Sequence, residues 1–312
     1  MALLKIYTDE NAAREHLEAL LWPDGPTCPH CGNADAKRIT KLAGKSTRPG
    51  VYKCNECRKP FSVTVGTVFE RSHIKLHQWV YATHLLSAGK KGTSSLQISR
   101  MLGVTYKTAW FMTHRIREAM RELGLTPMGG EGEIVEADET YFGKQETMRV
   151  SPQRKGRPFT KKGHKWNNRP IVSLVERGGR VRSFHVAVAD KETVQNIVRE
   201  NIAAETRLHT DESRLYIGAD AIFAAHETVK HTAGEYVRGD IHTNSAEGYF
   251  SIFKRGMRGN YQHCKEKHLH RYLAEFDFRY NNRIALGVND EMRAARALRG
   301  ISGKRLTYRR TH

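Results

Sequence analysis

The apolar positions of this chain change period along its length. Leu76, Trp79, Val80 and Thr83 follow the i, i+3, i+4, i+7 spacing of one helical face. Lys90-Lys91-Gly92 breaks that pattern, and Ser94 or Ser95 can cap a helix over Leu96–Leu102. Gly103-Val104 makes a short turn and Thr105 caps again, opening a helix over Tyr106–Met120 that would bury Ala109, Met112, Ile116 and Met120. From Glu133 onward strand-like runs take over: the stretch leading to Asp138, then Pro170–Glu176 and Val181–Val188 joined by the turn Arg177–Arg180, then Leu208–Asp211 and a β-prone run within His226–Val237. Helices are predicted over Lys191–Ala204, with Val194, Ile197, Val198 and Ile202 on one face, and over Asn244–Met257, with Phe250 and Phe253 inward. Tyr272, Phe276, Phe278 and Tyr280 read as core.

Two local architectures follow. The helix, Gly-containing turn, helix of the first region predicts a helix-turn-helix. Tyr106, Lys107 and Thr108, together with His114 and Arg115, would then be free to meet a DNA major groove. The order β-β-β-α-β-α-β-α of the second predicts an α/β ribonuclease H-like domain, a mixed sheet flanked by helices.

Between about Leu20 and Val65 the informative residues are cysteines. Cys28-Pro-His-Cys31 and Cys54-Asn-Glu-Cys57 are two C-x-x-C pairs with 22 residues between them. Each is a knuckle whose thiolates can reach one ion, and two knuckles complete a tetrahedral four-cysteine Zn²⁺ site in a small ribbon. Such a site is closed to chemistry, so the zinc is structural. His30 reads as exposed, and Cys264 stands alone without a role. The expected organisation is a multidomain chain: zinc ribbon over 20–68, helix-turn-helix over 72–125, ribonuclease H-like domain over 131–285 and a basic C-terminal segment over 286–312.

Charge adds a partner. The 312 residues carry 52 Lys+Arg against 33 Asp+Glu, a formal net charge of +19, spread from Lys5 to Arg310. Surfaces this basic attract polyanions, and double-stranded DNA is the expected one. The loop 144–168 holds Arg149, Arg154, Lys155, Arg157, Lys161, Lys162 and Lys165, and it is expected to lie along DNA phosphates, as is the C-terminal segment with Arg293, Arg296, Arg299, Lys304, Arg305, Arg309 and Arg310. No run approaches the ~18 apolar residues of a membrane span, and the first residues lack the apolar stretch of a signal peptide. The expected location is therefore the cytoplasm, on nucleoid DNA when bound.

The carboxylates suggest what happens to that DNA. Phosphodiester exchange can use two hard divalent ions about 3.5–4 Å apart, held by oxygens converging from separate segments. Asp138 ends the first predicted strand and Asp211 the fourth, and these are neighbours in a ribonuclease H-like sheet. Glu247 follows on a helix, Asn244 lies three residues earlier on the same face, and Lys254 two turns later, placed to hold a phosphate. Asp220 and Asp240 are weaker rivals for the second position. Glu136 would share the face of Asp138, whereas Glu139 would point to the opposite one.

Asp138-Glu-Thr-Tyr-Phe-Gly, Thr210-Asp211, His242-Thr-Asn-Ser-Ala-Glu247-Gly-Tyr-Phe-Ser-Ile-Phe-Lys254-Arg and His268-Leu-His-Arg-Tyr-Leu-Ala-Glu275-Phe-Asp-Phe-Arg-Tyr-Asn281-Asn-Arg283 together resemble the bacterial insertion-sequence DDE transposases of the ISXO-like group. The cysteine ribbon, Gly66-Thr-Val-Phe and Gly103-Val-Thr-Tyr-Lys-Thr-Ala-Trp resemble that group's N-terminal half. The resemblance implies a transposase that binds the terminal inverted repeats of its element, cuts and transfers DNA strands with Mg²⁺ or Mn²⁺, and acts as a homo-oligomer on element ends and target DNA. It implies Asp138 and Asp211 as the first two catalytic positions, and leaves the third between Glu247 and Asn244, because the group carries an Asn/Lys pattern as well as a Glu form. Two other readings fit the same residues: a catalytically inactive, transposase-derived DNA-binding regulator, and another ribonuclease H-like nuclease.

Overall fold

The computed structural model describes residues 4–146, 168–230, 234–235 and 237–307. The chain divides into two compact units, Met1–Glu122 with Gly287–His312, and Leu123–Leu286.

The first unit opens with α1 (Glu10–Leu21), whose first turn is capped by the Asp9 carboxylate accepting from the Ala12 amide at 2.7 Å. A three-stranded antiparallel ribbon follows, β1 (Ile39–Lys41), β2 (Tyr52–Cys54) and β3 (Pro60–Phe61). Beside the cysteines its apolar interior is five side chains: Ile39, Tyr52 and Phe61, with Val65 packed against them and the Trp22 ring set edge-on to Tyr52 and Phe61. Helices α2 (Leu76–Ala88), α3 (Ser95–Leu102) and α4 (Tyr106–Met120) come next. Ser94 caps α3, accepting from Gln97 N at 3.1 Å, and Thr105 caps α4, accepting from Thr108 N at 3.2 Å. Between them Gly103 takes the left-handed φ of 65° that closes a helix without a Cβ clash. Ala109, Met112, Ile116 and Met120 are all buried, as their spacing predicts.

The second unit is built on a five-stranded mixed sheet. Its strands are β4 (Ile134–Lys144), β5 (Asn168–Glu176), β6 (Val181–His185), β7 (Arg207–Asp211) and β8 (Ala225–Val229), in the order β6-β5-β4-β7-β8. β4, β5 and β6 pair antiparallel, whereas β7 runs parallel to β4 and β8 parallel to β7. Helix α5 (Lys191–Asn201) covers one face, and α6 (Asn244–Gly256) with α7 (Leu269–Asn281) covers the other. β5 shows why its sequence is almost continuously apolar. Val172 and Leu174 point into the α5 core, while Ile171 and Val175 point into the α6–α7 core. This is the ribonuclease H-like arrangement of sheet and helices.

One predicted element is absent. The order read from sequence calls for an α-helix between β7 and β8, but the connection consists of two 3-10 turns, Arg214–Tyr216 and Ala219–Ala221. Gly218 between them adopts φ 95°, which no α-helix accommodates, so the segment breaks there and still drops Tyr216, Ala219 and Phe223 into the core. At the free edge of the sheet, α7 takes over hydrogen bonds that β6 leaves open: Ser183 N donates to Asp277 Oδ2 at 2.9 Å and Val181 N to Asn281 Oδ1 at 2.7 Å. Tyr272, Phe276 and Phe278 are buried, as expected of core residues.

The chain then returns to the first unit as α8 (Asp290–Arg299), which lies against α2. The C-terminal stretch expected to contact DNA with its basic residues therefore turns some of them inward. Arg293 is buried and donates to Asp290 Oδ1 at 2.6 Å and to Ser87 O at 3.2 Å. Lys304 Nζ donates to Ala119 O at 2.8 Å and also reaches Arg121 O, closing the C-terminal end of α4. No described helix is long and apolar enough to cross a membrane.

Candidate active site and nucleic-acid surface

The parallel pairing of β4 and β7 aligns Glu136 with His209. Two residues farther along each strand come Asp138 and Asp211, on the same face by strand alternation. Asp211 is held by the amide of Ser213, which donates to its Oδ1 at 2.9 Å, and Asp138 accepts from the Glu139 amide at 2.7 Å. Glu139 enters the same neighbourhood from the other face of β4. Its carboxylate accepts from Ser213 Oγ at 3.0 Å and from the buried Tyr216 hydroxyl at 2.9 Å.

The electrostatic consequence is large. Burial, then the charges of Glu139 and Asp211, with Glu247 adding to them, push the Asp138 carboxyl up to about 8. Burial and Asp211 likewise raise Glu139. Carboxylates gathered this way repel one another in a poorly solvated place, and the donor set is hard oxygen throughout. That chemistry fits a divalent cation such as Mg²⁺. The rivals behave otherwise. Asp240 is held below the usual carboxylate range by its 2.8 Å bond from Arg207, and Asp220 is exposed on a 3-10 turn.

Helix α6 brings the remaining residues. Ala246, Tyr249, Phe250 and Phe253 form its buried face, which leaves Asn244 and Glu247 exposed on its first turn. Lys254 is half-buried, with Nζ 5.9 Å from the Phe250 ring centroid. Thr243 at the N-cap offers no side-chain bond to the helix. Glu136 supplies it instead, with Oε2 accepting from the amides of Ser245 at 2.8 Å and Ala246 at 3.1 Å.

In the first unit, all four cysteines converge. Cys28, Cys31, Cys54 and Cys57 place their sulfurs within 4.8 Å of one another, and they are the only such ligand group among the described residues. Cys28 and Cys57 stand 3.6 Å apart and Cys31 and Cys54 3.7 Å. The Cys57 amide leads in drawing the Cys54 thiol down to about 6. Each knuckle ends on a positive φ, 76° at Gly32 and 60° at Arg58. Four soft sulfurs at tetrahedral spacing fit Zn²⁺. His30 is exposed, with Nε2 3.3 Å from Pro60 O, and Cys264 offers its carbonyl to Arg169.

Helix α4 corrects part of the expected nucleic-acid surface. Tyr106 and Lys107 are exposed at its start, and Thr108 next to them is half-buried and bonded to the cap. His114 and Arg115, expected on that outer face, are buried at 1% and 7% exposure. The Arg115 guanidinium donates to Glu70 O at 2.7 Å and lies over the rings of Phe111 and Trp79 at 5.3 and 5.6 Å. A helix of fifteen residues packed against three neighbours has little outer face left beyond its first turn. Arg154, Lys155, Arg157, Lys161 and Lys162 of the basic loop, with Arg149, lie outside the described residues.

Sequence reasoning missed two features of this geometry. Ser213, Tyr216 and Glu139 form a clamp across β4 and the β7 turn; the adjacent Asp138-Glu139 pair is the visible signal, but the turn that meets it depends on the broken crossover. The cap of α6 by Glu136 spans 109 residues of chain and has no local signature.

Comparison with known proteins agrees with both units. Residues 130–281 match the ISXO2-like transposase domain, and residues 8–60 match the transposase zinc-ribbon domain. Across 286 residues the chain is 29% identical to an uncharacterized protein in transposable element ISH50 of Halobacterium salinarum, covering 89% of this chain and 93% of that protein. Among solved structures, a chain of a pre-cleavage Mos1 transpososome aligns over 67% of this chain and 71% of its own length, with 8% identity and a TM-score of 0.28. Carrying both a transposase zinc-ribbon domain and an ISXO2-like transposase domain, the chain belongs to the ISXO2-like transposase family.

Proposed function

We propose that this protein is the transposase of an insertion sequence: it binds the terminal inverted repeats, cuts the DNA strands there in a Mg²⁺- or Mn²⁺-dependent reaction, and joins them to target DNA. The observation that carries the reading is Asp138, half-buried beside Asp211 and Glu139 and facing the charge of Glu247. Asp138, Asp211 and Glu247 would hold the divalent ions, with Asn244 an alternative oxygen donor to Glu247. Bound there, the ions supply activation of the attacking oxygen and neutralise charge on the leaving one. Ser213 orients Asp211 through its amide, and Tyr216 keeps Glu139 from swinging into the site. Lys254, two turns along α6, is suited to a DNA phosphate.

Binding would be shared. Tyr106, Lys107 and Thr108 start a recognition helix within 72–125, and the Zn²⁺ ribbon over 20–68 supports it. The basic loop with Arg154, Lys155, Arg157, Lys161 and Lys162, in the catalytic domain over 131–285, adds phosphate contacts, as do the outward basic residues of 286–312. Joining two element ends calls for at least two copies on DNA, acting in the cytoplasm on nucleoid DNA.

The test is a cleavage assay on terminal-repeat DNA with Mg²⁺. Nicking or excision at the repeat ends is expected; binding without cleavage would make the protein a DNA-binding regulator. The same assay decides the third ligand. Glu247→Gln is expected to lose cleavage and Asn244→Ala to weaken it, because a carboxylate binds a hard cation better than an amide does. The reverse result would assign the position to Asn244.

A second measurement separates surface from interior on α4. Lys107→Ala is expected to weaken end binding with an unchanged melting temperature. Arg115→Ala is expected to destabilise by about 1–3 kcal/mol, the usual cost of leaving a buried polar group unsatisfied. An Arg115→Ala protein melting at the wild-type temperature but deficient in DNA binding would restore Arg115 to the DNA surface.

A further inference from the structure

Glu136 is fully buried at the centre of an unusually dense set of bonds. Its Oε2 accepts from the amides of Ser245 and Ala246, at 2.8 and 3.1 Å. Its Oε1 accepts from Ser245 Oγ at 2.9 Å and from Arg177 Nη2 at 2.9 Å and Nε at 3.2 Å, with His242 Nδ1 also at 3.2 Å. Arg177 in turn donates to Asp240 O at 2.7 Å and His242 O at 3.3 Å. The segment leading into α6, and the first turn of α6 itself, are therefore tied to β4 through one carboxylate.

Three facts make this more than a helix cap. The helix's own N-cap residue, Thr243, makes no capping bond, so Glu136 does from another element what a local side chain ordinarily does. The amides that Glu136 binds belong to Ser245 and Ala246, which lie between Asn244 and Glu247, the two candidates for the third metal ligand. And Glu136 is two residues from Asp138 along a single strand, a rigid separation on one face of the sheet. An α-helix is stiff over its first turn, so fixing residues 245 and 246 fixes both 244 and 247.

We propose that Glu136 is the positioning residue of the active site: it sets the distance between the third ligand on α6 and Asp138 on β4. It touches neither DNA nor metal. This rests on the reading of Asp138, Asp211 and α6 as a divalent-metal site. Arg177 supports Glu136 in that role: its Nη2 and Nε both donate to Oε1, which leaves Oε2 to accept the two helix amides.

The test is the metal dependence of cleavage on terminal-repeat DNA, measured with folding monitored by circular dichroism. Glu136→Gln keeps the shape but turns one acceptor into a donor facing the helix amides. It is expected to raise the Mg²⁺ or Mn²⁺ concentration for half-maximal cleavage by about 10–100-fold, the usual cost of losing a residue that orients a ligand. A merely structural role would lower the amplitude of cleavage by the fraction unfolded and leave that concentration unmoved. The shift is also expected to vanish in a protein already lacking the third ligand, whether through Glu247→Gln or Asn244→Ala, measured on residual activity or by Tb³⁺ luminescence. An unmoved metal requirement in folded Glu136→Gln, or a shift that adds in full to the ligand substitution, overturns the proposal. Should Glu136→Gln fail to fold, Ser245→Ala removes a single bond to the same carboxylate and decides the matter: a smaller shift in metal requirement supports the role, and none overturns it. Asp138→Asn runs alongside. If it still cuts DNA, the metal reading itself fails and takes this proposal with it; if it is inactive while Glu136→Gln is unaffected, only the positioning role fails.

Discussion

Asp138→Asn is expected to abolish strand cleavage while making the metal-free protein more stable at pH 8. The first half follows from the loss of an anionic oxygen in a site that works by charge. Several kcal/mol of transition-state stabilisation corresponds to a fall of at least about 10³-fold in rate. The second half follows from the direction of the Asp138 shift. Its carboxyl titrates at about 8 in the fold against 3.8 ordinarily. Between those values the folded chain holds a proton that the unfolded chain has lost, so stability of the metal-free protein declines as pH rises from about 4 to 8. Below that window both states are protonated and the penalty is absent; above it the penalty is present in full. At about 1.4 kcal/mol per pH unit over roughly four units, the cost at pH 8 is about 5 kcal/mol, and asparagine removes it. Melting temperatures of the two metal-free proteins are therefore expected to coincide near pH 4 and to part by at least about 5 °C at pH 8, the substituted protein being the higher. Saturating Mg²⁺ is expected to close the gap by raising the unsubstituted chain alone. Equal melting curves at pH 8, or a substituted protein that still cuts, would show that Asp138 is not held in this strained cluster.

The second large effect concerns the ribbon. Cys54→Ser, or removal of zinc with a chelator, is expected to unfold it outright. Its strands are three, three and two residues long, and its interior beside the cysteines is five apolar side chains. Nothing there approaches the ~10–16 kcal/mol of apparent binding energy that a structural zinc contributes at neutral pH. The substituted protein is expected to carry one zinc fewer per chain by atomic absorption, to be cut by protease between residues 20 and 68, and to bind terminal repeats weakly. The melting of the Leu123–Leu286 unit is expected to persist. A Cys54→Ser protein with unchanged zinc content would remove the four-cysteine assignment.

What the sequence by itself determined is everything whose physics is local. Two C-x-x-C knuckles declare a metal because vicinal thiolates have few other uses in a reduced chain. Ser94, Thr105 and Gly103 mark helix ends because capping bonds and a left-handed turn act within four residues. The alternation in β4 and β7 put Asp138 and Asp211 on one face, and the motifs around them carried the family; Asp211 ends β7 as expected, but Asp138 does not end its strand, because the antiparallel pairing with β5 carries β4 on to Lys144. Where burial is decided by a distant neighbour, local reading ran out. His114 and Arg115 look like outward charges on a recognition helix, but Glu70, Trp79 and Phe111 enclose the guanidinium. Arg293 and Lys304 read as a basic tail and instead bond to Ser87 and Ala119. The element order called for a helix after β7, yet Gly218 breaks the crossover into two turns, and Tyr216 and Ser213 meet Glu139. Glu136, two residues from the start of its strand and by any local measure an unremarkable acid, became the cap of a helix 109 positions away. A side chain's partner across that much chain is selected by the packing of the whole domain, and only the tertiary structure decides it.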